Sequence, residues 1–146
     1  AAARAALDAQ PTDADATLAL AEAERARGEP ARAVDALVEL LDREPYHFAA
    51  LVLLGRTLAD QQRRADARRA FERVLRLAPA HADALYHLGA LAAEQRRFRE
   101  AVERWQQLLD TAPAHALARH AAEHIQTARR LARRFPEPAA DPAAEG

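Results

Sequence analysis

His120, Glu123 and His124 spell HxxEH, the inverted form of a zinc-protease signature. On a helix the two imidazoles stand one turn apart and could share a metal. A protease of that kind needs a further ligand from a downstream catalytic domain, and only positions 125–146 follow His124. The pattern is therefore read as the polar face of an alanine-rich helix, and no metal is expected. His47, His81 and His115 form a second, evenly spaced set. They cannot converge on one ion, because packed helices stand about 8–10 Å apart whereas a zinc–nitrogen bond is about 2 Å. They are read as residues inherited by duplication at the start of three successive helices. Arg129, Arg130, Arg133 and Arg134 make a basic helix end. They are read as cations complementing the helix dipole, with Glu137, Asp141 and Glu145 following closely to blunt the field. Ser and Cys are absent as nucleophiles and the 4 glycines are scattered, so no phosphate-binding loop forms. No catalytic residue and no cofactor are expected.

What positions these residues is a period. Pro11, Pro45, Pro79 and Pro113 recur at one constant interval. Leu20, Leu54 and Leu88 recur with them, each followed by a small residue, Ala21, Gly55 and Gly89. Ala33, Ala67 and Ala101 come next, then Leu37, Phe71 and Trp105, then Leu40, Val74 and Leu108. A period of this length means small helical units that cannot bury their apolar stripes alone and must stack. Periodicity and breakers predict helix pairs over 14–27 and 31–43, 48–61 and 64–77, and 82–95 and 98–111. A lone helix follows over 116–134. Each second helix stops before a proline, because the residue preceding proline avoids the helical region. Thr12 or Asp13 can cap the first helix. Gly55, Gly89, Ala67 and Ala101 are expected where the two helices of a pair approach closely, with Phe71 and Trp105 filling the gap between one unit and the next.

These residues resemble the tetratricopeptide repeat, a helix-turn-helix unit whose family period equals the interval between the prolines. Leu85, Leu88-Gly89, Ala101, Trp105 and Pro113 match its pattern, as do Leu51, Leu54-Gly55, Ala67, Phe71 and Pro79. The first unit carries Leu20-Ala21, Ala33 and Leu37, and Glu24, Leu58 and Ala92 stand where the family's tyrosine falls. The resemblance implies an all-α fold, a right-handed superhelical array of antiparallel helix pairs. Its repeats would occupy 12–45, 46–79 and 80–113, with a capping helix over 114–135 that is polar at Arg119, Glu123, Gln126, Arg130 and Arg133. Residues 1–11 read as the end of a helix from a preceding, truncated repeat. Residues 136–146 read as a disordered tail.

Composition agrees. Half the residues are apolar, yet alanine alone exceeds a quarter, so packing must rely on close backbone approach. Alanine is also the strongest helix former. The net charge of −1 gives no bulk attraction for nucleic acid or anionic membrane. No apolar run approaches the length of a membrane span. The absence of Lys and Asn reads as a GC-rich bacterial genome, with cytoplasm and periplasm both open.

In tetratricopeptide arrays the first helices line a concave groove that holds a peptide or partner helix. Matching positions here are Leu18 and Glu22; Val52, Arg56 and Asp60; and Tyr86, His87, Ala90 and Glu94, with His120 and His124 as additions from the last helix. Family members that grip extended peptides use Asn and Lys, both absent here. The resemblance thus implies a protein-interaction scaffold in a multiprotein assembly or maturation system, its groove suited to an amphipathic or apolar segment. Two alternatives remain: a regulatory or targeting arm of a larger enzyme, and self-association through the N-terminal edge of the array.

Overall fold

The computed structural model describes residues 14–137. The expected end of a preceding helix, the caps at Thr12 and Asp13, and the expected tail beyond Glu137 lie outside these residues. The described residues form seven helices and no strand: α1 Ala14–Ala26, α2 Pro30–Arg43, α3 Phe48–Asp60, α4 Arg64–Leu77, α5 Ala82–Glu94, α6 Phe98–Thr111 and α7 Ala118–Arg134. Two compact units divide between Ala84 and Leu85, inside α5.

Each first helix ends the same way. Glu29, Arg63 and Arg97 donate their backbone N–H groups to the carbonyls of Glu24, Leu58 and Ala92. This closure needs a left-handed residue just before the donor. Gly28 has φ 77°, Gln62 φ 62° and Arg96 φ 60°, and the three stand at one phase of the repeat. Each second helix ends before its proline, with Glu44, Ala78 and Ala112 outside the helical conformation while their N–H groups still reach Leu40, Val74 and Leu108.

The starts of α3 and α5 depend on histidine. The Nδ1 of His47 accepts from the Ala50 N–H at 3.2 Å, and that of His81 from the Ala84 N–H at 3.3 Å. Both act as N-caps, satisfying a donor that the first turn leaves without an intrahelical partner. His115 Nδ1 accepts from the Leu117 N–H at 3.0 Å, and Ala118 N–H bonds back to the His115 carbonyl. That turn delays the last helix, which begins at Ala118 rather than at position 116.

In the first unit Ala21, Ala33, Leu37, Leu40, Ala50 and Leu53 form one buried cluster across α1, α2 and α3. In the second, Leu85, Leu88, Trp105 and Leu108 are buried, and α7 adds the stripe Ala118, Ala121, Ile125 and Ala128. The other side of α7, with Arg119, Glu123, Gln126, Arg130 and Arg133, is largely exposed.

The two glycines have a steric reason. A Cβ at Gly55 would stand 2.5 Å from Phe71 Cε1, and one at Gly89 would stand 2.5 Å from Trp105 Nε1. Both aromatic rings therefore lie over the glycine of their own repeat, where the expectation placed them only between repeats. Trp105, 3% exposed, also faces α7 through the His124 ring at 5.3 Å.

Candidate functional site

Within the first unit, α1 and α3 contribute Leu18, Glu22, Val52, Arg56 and Asp60. Leu18 and Arg56 are half-buried, and Glu22 is exposed. Val52 is only 8% exposed and offers little apolar surface, because it turns further toward the core than the period alone suggests. Asp60 is already engaged. Arg25 Nε donates to its Oδ2 at 2.5 Å and a second guanidinium nitrogen reaches Oδ1 at 3.5 Å. Glu22 joins from one turn away at 3.4 Å. The Asp60 hydrogen bond raises the Arg25 pKa above the ordinary arginine value, outweighing partial burial, which acts in the opposite sense. This pair ties α1 to α3. Arg56, by contrast, has no ion-pair partner among the described residues.

Within the second unit, α5 contributes Tyr86, His87, Ala90 and Glu94, and α7 contributes His120 and His124. Tyr86 and His124 come together: the phenol oxygen lies 3.1 Å from His124 Nε2, and the ring centroids are 5.9 Å apart. His87 meets the Tyr86 ring edge-on at 5.2 Å. Beneath them Trp105 Nε1 donates to the Tyr86 carbonyl at 3.0 Å. Two aromatic contacts and two hydrogen bonds thus converge on one half-buried tyrosine. Glu94 and His120 are exposed, and Ala90 is half-buried.

This geometry also accounts for HxxEH. His124 Nε2 faces the Tyr86 hydroxyl, and Glu123 pairs with Arg119 at 3.5 Å. Among the described residues no group of three or more His, Cys, Asp or Glu side chains is arranged to hold a metal. No described helix is long and apolar enough to cross a membrane. Sequence reasoning did not pair Tyr86 with His124, although the signal was present. Their separation in the chain is one repeat plus one helical turn, which sets a first-helix residue beside the following first-position helix.

Helix pairs with recurrent left-handed turns and a polar-faced last helix define an all-α helical-repeat protein. Tetratricopeptide-repeat models match residues 14–57 and 52–116. The chain belongs to the tetratricopeptide-repeat family. Solved structures agree in fold. The tetratricopeptide-repeat domain of Sgt2 from Aspergillus fumigatus is similar with a TM-score of 0.73 at 19% identity, over 90% of this chain and 93% of that one. The first such domain of Spaghetti (RPAP3), bound to the HSP90 peptide SRMEEVD, gives 0.70 at 15% identity, over 78% and 88%. YrrB, a repeat protein with an unusual peptide-binding site, gives 0.66 at 27% identity, over 75% of this chain and 56% of that one. No curated protein sequence matches the chain.

Proposed function

We propose that the chain is a protein-interaction scaffold whose first-helix residues hold a peptide or helical segment of a partner, within a bacterial multiprotein assembly or maturation system. One observation carries the reading: Tyr86 is oriented before any ligand arrives. Its ring is flanked by His87 and His124, its hydroxyl lies beside His124, and its backbone carbonyl accepts from Trp105. An amphipathic ring already held in place loses little entropy on binding, and tyrosine is among the residues that most often dominate interface energies.

In the other unit Arg56 supplies a cation with no ion pair among the described residues, able to grip a partner carboxylate with two prongs. The peptide-bound relative supports a peptide as ligand class. The lack of Asn and Lys argues for side-chain contacts rather than a clamp on an extended peptide backbone. Nucleic acid is not part of this reading, since the net charge is −1.

The test places a photo-crosslinking residue at position 56, 86 or 103 in the host cell and identifies the adducts. Positions 56 and 86 should capture one common protein, and position 103, exposed on α6, should not. Against that partner, Tyr86→Ala and Arg56→Glu should each weaken binding at least tenfold, about 1.4 kcal/mol, with helical content unchanged. Capture only from position 103, or normal binding by both variants, would overturn the reading.

A further inference from the structure

The first unit carries a second surface on the side of its second helices. Between α2 and α4 lies a cleft of about 490 Å³, floored by Leu51 and Leu54 of α3. Val38 and Leu41 line one wall and Ala70 the other. Val38 is 44% exposed, and Tyr46, in the turn after α2, is 63% exposed. These are two of the four large hydrophobic side chains left exposed among the described residues.

The period supplies an internal control. One repeat on, position 38 becomes Glu72 and position 70 becomes Arg104. The fold therefore accepts charge at the outward position of Val38, and stacking does not require Val38 to be apolar; Ala70, 7% exposed, belongs to the core. The phase of Val38 holds Glu72 and Gln106 in the later repeats, so the exposed valine is particular to this cleft.

The cleft also carries opposite charges on its two walls. Asp42 on α2 has no ion-pair partner among the described residues. Across from it, Asp66 is shared between Arg69 at 3.2 Å and Arg63 at 3.0 Å. Arg73 has no carboxylate among the described residues; its guanidinium lies over the Tyr46 ring, 5.5 Å from the centroid. That contact fixes the cation at the mouth while leaving its N–H groups to face a ligand. An apolar trough between one unpaired anion and one unpaired cation complements an amphipathic helix with aliphatic side chains along its centre, an acidic flank and a basic flank.

We infer that this cleft is a docking site for such a helix from a protein partner, lined by none of the groove residues of the proposed function. Tyr46 serves as the platform that orients Arg73. The two surfaces would let one scaffold hold two segments at once.

The probe is a short alanine-based helical peptide with two leucines one turn apart, glutamates along one flank and lysines along the other. It is titrated into the isotopically labelled full chain and followed by amide chemical shifts. Perturbations should cluster on α2, α4 and the turn at Tyr46. Val38→Glu should abolish binding, and replacing the peptide leucines with serine should do the same. Arg73→Glu replaces the unpaired cation of the α4 wall with an anion. It should weaken the mixed peptide at least roughly tenfold and strengthen one carrying lysine on both flanks. Tyr86→Ala should leave all of this unchanged, so failure of the first-helix reading and failure of this one are distinguishable. Shifts absent from α2 and α4, or an Arg73→Glu variant with the same flank preference as the wild type, would overturn the inference. Concentration-dependent dimers in sedimentation that Val38→Glu abolishes would also overturn it, making the occupant a second copy of the chain.

Discussion

Gly89→Ala sets two effects of opposite sign against each other. Alanine in a helix interior is favoured over glycine by about 0.8–1.0 kcal/mol. The new Cβ, however, would stand 2.5 Å from Trp105 Nε1 and 2.8 Å from both Cδ1 and Cε2. Three indole atoms inside contact distance cannot all be relieved by a small rotation, because Trp105 is 3% exposed and held by its hydrogen bond to the Tyr86 carbonyl. Overpacking of this kind typically costs about 1–3 kcal/mol. With three indole atoms at 2.8 Å or less the cost should fall in the upper part of that range, so the clash should win, with a net destabilisation of roughly 1–2 kcal/mol.

The control is the same substitution in a Trp105→Leu background. With the indole gone the steric term vanishes and propensity alone remains, so Gly89→Ala should there stabilise by about 0.5–1 kcal/mol. Urea unfolding followed by far-ultraviolet circular dichroism measures both arms, and the single tryptophan reports the first arm independently by fluorescence. A neutral or stabilising Gly89→Ala in the wild-type background, or additive effects across the cycle, would refute the close-packing account. The first arm should also loosen the orientation of Tyr86, since the displaced indole carries the donor to its carbonyl.

Three further outcomes follow from local geometry. His81→Ala removes a helix cap and should lower stability by about 1 kcal/mol, whereas His81→Asp, which also caps, should restore most of it; thermal unfolding distinguishes the two. Gln62→Gly relieves a left-handed non-glycine and should stabilise by roughly 0.5–1 kcal/mol in chemical denaturation. Arg96→Gly should gain less, because the Arg96 guanidinium lies over the Phe135 ring at 5.1 Å. Asp60→Asn removes the charge opposite Arg25 and should cost no more than about 1 kcal/mol; repeating the unfolding in high salt should shrink the difference, and a loss that salt leaves untouched would assign the pair a packing role instead.

Much of the fold was legible because its causes are local and repeated. Pro45, Pro79 and Pro113 end helices wherever they fall, and Gly55 and Gly89 sit where only a hydrogen fits. The paired helices lie close to their expected limits at both ends. What escaped depends on a third dimension that the period does not encode. Whether an aromatic ring covers its own repeat or the next is decided by side-chain direction, and Trp105 does both. His47 and His81 read as duplicates without a task because histidine is an uncommon cap, and only the placement of Nδ1 reveals the bond. The left-handed residues at 62 and 96 were hidden because glycine marks that position only in the first repeat, at Gly28.

The candidate site was the least legible part, for a physical reason. Core positions are constrained by volume, so residue type reports environment. Surface positions on a first helix can be used in two ways that sequence does not separate: stitching neighbouring repeats together, or meeting a partner. Asp60 and Arg56 are both charged and both on α3, and they carry equal weight in the sequence. In the structure Asp60 is committed to Arg25, and Arg56 to no carboxylate among the described residues. The same division applies at the cleft between α2 and α4, where Asp66 bonds both Arg63 and Arg69 while Asp42 and Arg73 stand without an ion pair among the described residues. A charge already paired within the chain has exchanged its hydration for a protein contact, and recruiting it for a ligand means breaking that contact first. An unpaired charge on an otherwise apolar surface has made no such exchange. Arg56, Asp42 and Arg73 are therefore the charges to substitute first when a partner is in hand, ahead of the more numerous paired ones around them.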